Sequence, residues 1–290
     1  MRIKSLSVLL ISAVAILPHI QCKPDSNIKE KKVGVITFIK GDAVKITGNT
    51  EEPLHHGDIL QSDLVIKTKD KSMVDITFSD KSIVRLKEFT TLKLSLMAES
   101  KKGGQLTDLE LNTGKIVNVV NKINEDGHYT VKAPTAIAGV RGTVFEVSAD
   151  TETTVFVAEG EVEVNGLIGK EENHSLLKDR GVTIRGEKDY LFGEEKKTEE
   201  LLKEAGEMKG NKTDISEETI KLTSKLANVK TEEELSKVFN KDIEIIIMKD
   251  GRTLRGVIVS MSEGKLLVQT IKGSHFINEA EVQKVKYVNE

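Results

Sequence analysis

The feature that most constrains this chain is a run of period-two apolar patterning between residues 32 and 191. Residues 33–39 and 42–46 partly alternate apolar and polar side chains around a Gly41-Asp42 break. Residues 73–78 and 82–86 repeat the pattern around Ser79-Asp80-Lys81, and residues 91–97 set Leu92, Leu94 and Leu96 against Thr91, Lys93 and Ser95. Further strands are expected at 109–111, 115–120, 129–132, 143–147, 154–158 and 161–164. A period of two buries one face of a sheet and wets the other. Short strands at near-regular spacing, separated by polar turns, predict a sandwich, barrel or β-roll.

The pattern changes at Glu194. Residues 194–240 are rich in Glu, Lys, Leu and Ala. A helix is expected over 198–208, stopped by Gly210-Asn211. A second is capped by Ser216 and runs to about 228, and a third opens on the capping-box spacing Thr231-Glu232-Glu233-Glu234 and ends near 239. The many charges read as a solvated face, and the segment as a spacer rather than a docking helix. Strands return at 243–248, 253–260, 266–271, 275–277 and 282–288, with an Asp250-Gly251 hairpin turn after the first. Five short strands in this space predict a small SH3-like or Sm-like barrel. The expected fold is mainly β: a sandwich or roll over 33–192, a short helical linker over 193–240, and a barrel over 241–290.

At the other end, Arg2 and Lys4 precede an apolar stretch over 6–17. A run of about a dozen residues is too short to cross a hydrocarbon core of roughly 30 Å. It has the size and flanks of a secretory signal peptide, here assigned to residues 1–21 and set aside from the fold. Cys22, the single cysteine, follows it directly and opens a polar tether over 22–32. That placement resembles the acylated cysteine of a bacterial lipoprotein. His19 and Gln21 stand where the usual motif has Leu and a small residue. Several acyl chains on Cys22 would give lasting membrane attachment, where one gives marginal binding. The implied location is the cell envelope, at the periplasmic face or the outer-membrane surface.

Two stretches carry a family resemblance. One is Gly57-Asp58-Ile59-Leu60 followed by residues 78–86, Phe-Ser-Asp-Lys-Ser-Ile-Val-Arg-Leu. The other is residues 129–147, which contain Ala133-Pro134-Thr135-Ala136 and Val140-Arg141-Gly142-Thr143-Val144-Phe145. Over residues 33 to 165 the chain resembles the FecR domain. Lys81 departs from the family, which often has Gly there, and Ala133 stands where Thr is common. Read as chemistry, Pro134 fixes φ and extends Ala133. Ala136 and Ala138 permit close backbone approach, and Gly142 can take a positive φ. The planar fork of Arg141 is expected to tie carbonyls or a carboxylate. Thr143 and Phe145 complete the motif. The resemblance implies an envelope β-domain. Its best-known members relay a transporter signal through a transmembrane helix to a cytoplasmic anti-sigma segment, and this chain shows neither part.

Other functions find little support. The net charge is −3, without the concentrated basic footprint that nucleic-acid binding needs. Aromatic residues are 4% and Trp is absent, which argues against a lectin or nucleobase-stacking platform. His55-His56 reads as a surface loop rather than a metal pair, since neighbours on a strand point apart. Paired carboxylates such as Glu51-Glu52 lie in polar stretches, and no nucleophile elbow or phosphate loop is present. No cofactor, metal or small-molecule substrate is implied. The expected function is a lipid-anchored, non-catalytic envelope protein whose FecR-like domain binds a protein or polymer partner or signals. A surface adhesin and a periplasmic sensor are the alternatives.

Overall fold

In a computed structural model of the chain, the structure describes residues 28–167, 173–185, 188–211, 229–262 and 264–288. Cys22, the signal region and the helix expected at 216–228 lie outside the described residues. The chain is mainly β, as its patterning predicts.

The strands up to β18 form two facing sheets. The first runs β4(Thr50–Pro53), β3(Ala43–Thr47), β6(Leu64–Thr68), β9(Thr91–Ser100), β10(Gln105–Val119), β11(His128–Lys132), β12(Ala136–Val140), β15(Glu161–Gly166), β16(Asn173–Leu177). β1(Ile28–Lys31) pairs with the far end of β9. The second sheet runs β5(Ile59–Leu60), β2(Gly34–Lys40), β7(Met73–Phe78), β8(Ile83–Leu86), β10, β13(Val144–Ala149), β14(Thr153–Glu159), β17(Arg180–Arg185), β18(Lys188–Gly193). Among these ladders only β10–β11 is parallel.

β10 belongs to both sheets. Its first half, through Thr113, pairs in the first, and Gly114 onward pairs in the second. The sequence predicts two strands here, broken near Gly114. The structure keeps one strand and turns it at Gly114, where φ is +92° and a Cβ would lie 2.5 Å from the Thr90 Cα. Only glycine fits that combination.

The core between the sheets follows from alternation. Ile36, Ile76, Leu86, Ile116, Phe145 and Val157 point inward from the second sheet, against Ile66, Leu92, Leu109, Val131, Ala138 and Val164 from the first. Tyr129 is fully buried, edge-on to Phe78 and Phe145 at 6.3 and 6.4 Å between centroids. Its hydroxyl donates to the side-chain carbonyl of buried Asn118 at 2.9 Å.

The second sheet is buried on its outer face as well. Ile83, Val117, Val119, Val144, Phe156 and Ala158 pack under Leu201, Ala205 and Met208 of α1(Glu195–Asn211). The segment expected as a solvated spacer therefore holds a helix docked in cis, longer than the 198–208 expected. An ion-pair cluster fixes it. Arg85 (3% exposed) clasps fully buried Asp75 through Nε at 2.6 Å and Nη2 at 2.8 Å, and reaches Glu204 of α1 at 3.2 Å. Asn211 at the end of α1 donates to the same Asp75 carboxylate at 3.1 Å, which carries the helix past Gly210.

α2(Glu232–Phe239) starts where its capping box predicts, with Thr231 and Glu234 bonded reciprocally at 3.2 Å. Leu235 packs on Ile243 and Val257. A five-stranded antiparallel sheet follows, in the order β22(Gly273–Asn278), β21(Lys265–Thr270), β20(Thr253–Ser262), β19(Glu244–Met248), β23(Val282–Tyr287). Ile246, Met248, Leu266, Val268 and Ile277 form its core. Its Asp250-Gly251 turn is a hairpin with Gly251 at φ +89°, tightened by Asp250 accepting from the Arg252 amide at 3.0 Å.

Candidate functional site

Three places gather functional chemistry: the family-motif turn, the seam between the two β-units, and an open groove on the sandwich.

The motif residues run from the bend before β12, along that strand, to the turn between β12 and β13. Pro134 is exposed at the bend before β12, where the Ala133 amide donates to the Ala136 carbonyl at 2.8 Å. Ala136 and Ala138 are core residues, facing the opposite layer. Gly142 takes φ +124° and passes Lys122 closely. Thr143 is buried. Its amide and carbonyl pair with Val120, and its hydroxyl donates to the Glu161 carbonyl at 3.0 Å. Phe145 is fully buried. Arg141 differs from expectation: it is exposed and forms no tie to a carbonyl or carboxylate among the described residues. The turn is fixed by Thr143, and Arg141 is presented outward from it.

The Gly57-Asp58 pair has a role that no local signal announces. Asp58 is fully buried where β22 of the C-terminal sheet meets the sandwich. It accepts from His275 Nδ1 at 2.7 Å, Lys45 Nζ at 3.3 Å and the His55 amide at 3.2 Å. Burial pushes this carboxyl up, but the His275 hydrogen bond and charge, with Lys45 and the His55 amide, outweigh it and hold it below the usual range. Gly57 lets the chains touch: a Cβ there would sit 1.9 Å from the Phe276 carbonyl oxygen. Val33, Val35 and Ile59 pack on Leu267 beside the clasp. Thr270, His275 and Asp58 follow a nucleophile–base–acid order, with Thr270 Oγ1 3.3 Å from His275 Nε2. The Thr270 hydroxyl, however, is buried and donates to the Gly273 carbonyl at 2.9 Å, so the line fastens the two units together. His55 and His56 lie in the loop before β5. Among the described residues no group of three or more His, Cys, Asp or Glu side chains could hold a metal.

The groove, of about 910 Å³, opens at the ends of inner strands of the second sheet, among them β2, β7, β13 and β14. The turns at Lys71 and Phe89, the Gly114 bend of β10 and the β13–β14 hairpin form its walls. Phe89 is 62% exposed and holds φ +54°. The left-handed region costs a residue with a Cβ about 1–2 kcal/mol, and bulky side chains are rare there. The surrounding turn enforces it. The Thr68 hydroxyl bonds the Lys87 carbonyl at 2.5 Å, the Thr90 amide donates to the Thr68 hydroxyl at 2.9 Å, and the Lys115 amide donates to the Thr90 hydroxyl at 3.0 Å. Sequence reasoning missed this site, because the strain becomes visible only when β10 brings Lys115 against Thr90.

One family model matches part of this scaffold. The model of FecR, described as FecR protein, matches residues 65–163, from β6 to β15. That segment is a FecR-like domain. The resemblance was expected from residue 33, and the structure shows why the sheets extend further: β2 and β3 belong to the same two layers. Two crystal structures of a candidate anti-sigma factor from Parabacteroides distasonis ATCC 8503, at 1.65 and 2.50 Å, are 21% identical with a TM-score of 0.39. The similarity covers 45% of this chain and 59% of theirs, so the chain spans less than two thirds of their length. No curated protein matches. No helix among the described residues is long and apolar enough to cross a membrane.

Proposed function

We propose that this chain is a lipid-anchored envelope protein whose FecR-like sandwich binds a partner and signals through that binding, without catalysis of its own. The observation that carries the reading is the family match over residues 65–163, on a sandwich that holds the Val140-Arg141-Gly142-Thr143 turn rigid and turns Arg141 outward. An exposed guanidinium on a fixed turn suits recognition of an anionic group. The apolar run over 6–17 and Cys22 directly behind it support export and acylation. The C-terminal sheet, whose strand-turn-strand pattern is SH3-like or Sm-like, offers a second contact surface. The Asp58–His275 clasp would make it move with the sandwich.

Cells fed radiolabelled palmitate test the anchor. Wild-type protein should label and sediment with membranes, and Cys22→Ala should do neither. Equal labelling, or full-length protein in the cytosolic fraction, overturns the anchor. Transcript profiles of the same two strains test the signalling half, which predicts a difference between them; identical profiles refute it.

A further inference from the structure

We propose that β18 is a dimerisation edge, which pairs antiparallel with β18 of a second copy of this chain about a twofold axis at Leu191. The inference goes beyond the partner-binding reading and needs neither that reading nor the lipid anchor.

β18 ends one side of the second sheet. It pairs with β17, and among the described residues no ladder forms on its other side. An open edge strand offers unpaired amides and carbonyls to any extended chain, and folded proteins guard such edges with charges and proline. Two other edges here carry those guards: β4 has Glu51, Glu52 and Pro53, and β23 has Lys284 and Lys286. β18 has Tyr190-Leu191-Phe192 instead, with Tyr190 49% and Leu191 65% exposed. Leu191 stands opposite fully buried Val182, so it holds a core-facing position that is left mostly uncovered. α1 packs over β8, β10, β13 and β14 and leaves this edge open.

Register selects the occupant. The Glu194 amide donates to the Asp179 carbonyl at 3.2 Å. Antiparallel bonding alternates, so Phe192 and Tyr190 also bond towards β17, and the backbone groups of Asp189, Leu191 and Gly193 face outward. These outward residues are evenly placed about Leu191. A second β18 can meet them about a twofold axis, with Leu191 opposite its own copy and Asp189 opposite Gly193. The flanking side chains then match. Tyr190 falls beside Phe192 of the second copy, and Lys188 beside Glu194 of the second copy, an aromatic pair and an opposite-charge pair on each side of the axis. Lys188 and Glu194 are exposed, with no ion pair among the described residues. Asp189 brings no loose charge, because His174 holds it at 2.5 Å, and Gly193 opposes it with no side chain. An unrelated peptide would have to supply this pattern in reverse, whereas a second copy has it by symmetry. A twofold contact uses each edge once, so assembly stops at two copies.

Cysteine cross-linking and sedimentation of the full-length chain in detergent test the inference. Hydrogen-bonded antiparallel partners lie about 5.5 Å apart at Cα, inside the roughly 4.4–6.8 Å that a disulfide spans. Leu191→Cys should therefore oxidise to a covalent dimer. Lys188→Cys should not, because its own copy would lie about 20 Å away at about 3.4 Å per residue. Wild type, with Cys22 alone, sets the background. Sedimentation over a concentration series should report a monomer–dimer equilibrium. Leu191→Lys, which installs the guard that β23 carries, should abolish it. Lys188→Glu should weaken it by about tenfold, and Lys188→Glu/Glu194→Lys should restore it. Each variant should keep the wild-type melting temperature, since these side chains are exposed, which separates loss of pairing from loss of fold. A monomer at every concentration overturns the inference, as does cross-linking at Leu191 no greater than at Lys188. So does a dimer that survives Leu191→Lys, or a charge swap that restores nothing. The palmitate experiment is independent, so failure of the dimer and failure of the anchor are told apart.

Discussion

Replacing Arg85 with Leu would strand a buried charge. Asp75 is fully buried and Arg85 is 3% exposed, and two charge-assisted bonds at 2.6 and 2.8 Å join them. Without Arg85, the Asp75 carboxylate keeps, among the described residues, the Asn211 amide at 3.1 Å. Breaking a buried pair from one side costs about 3–5 kcal/mol, since the remaining charge is desolvated and unpaired. Against a typical total of about 5–15 kcal/mol, that is a large share. The same substitution removes the guanidinium that Glu204 meets at 3.2 Å, although Lys87 still holds Glu204. The loss should therefore fall on the sheet more than on the attachment of α1. The double variant Arg85→Leu/Asp75→Leu should recover most of the loss, because apolar replacement of a whole buried pair is often neutral or stabilising. Urea unfolding followed by far-ultraviolet circular dichroism reads both. A single-variant cost below about 1 kcal/mol, or a double variant as unstable as Arg85→Leu alone, would refute the assignment of this pair as a desolvated unit.

Two further outcomes are expected. Lys81 holds φ +67° between β7 and β8, where glycine is common in the family it resembles. Lys81→Gly relieves about 1–2 kcal/mol of left-handed strain and gives back about 0.5–1 in chain entropy. It should thus stabilise by up to about 1.5 kcal/mol, seen as a melting temperature higher by a few degrees, and a lower one would count against the strain. The depressed carboxyl of Asp58 contributes stability that is present above its unfolded value near 3.8 and is lost as pH falls through its lower folded value. Acid titration of unfolding should show this loss in wild type but not in Asp58→Asn, and parallel acid profiles would exclude the clasp as the source.

The parts of the fold that local pattern governs were legible. Alternation in residues 91–97 and 129–132 placed strands that bury one face, and residues 73–78 alternate because their outer face buries Asp75 and Thr77. The capping box at Thr231 placed α2. β6 was missed because Leu64, Val65 and Ile66 are consecutive apolar residues with no alternation. β12 was missed as a strand because Ala136, Ala138 and Gly139 have low β-propensity, and packing between the layers overrides that. Leu201, Ala205 and Met208 lie at helical spacing on one face of α1. The stripe is narrow among many charges, so it read as a solvated helix, and the sheet that covers it is remote in sequence. The site was less legible still. Asp58 and His275 are 217 residues apart, beyond any spacing rule. The motif turn was found, but the outward direction of Arg141 depends on Thr143 bonding Val120 and Glu161. Nothing in the local sequence pattern singles out Phe89.

The passage of β10 from one layer into the other has a consequence for how the domain opens. In a sandwich whose halves share no strand, one layer can peel away while the other keeps its amide protection. Here melting the first sheet frees the strand that sits between β8 and β13 in the second, so the two lose protection together. Hydrogen exchange from the middle of both layers should then report one free energy, and the FecR-like segment would behave as a single cooperative unit.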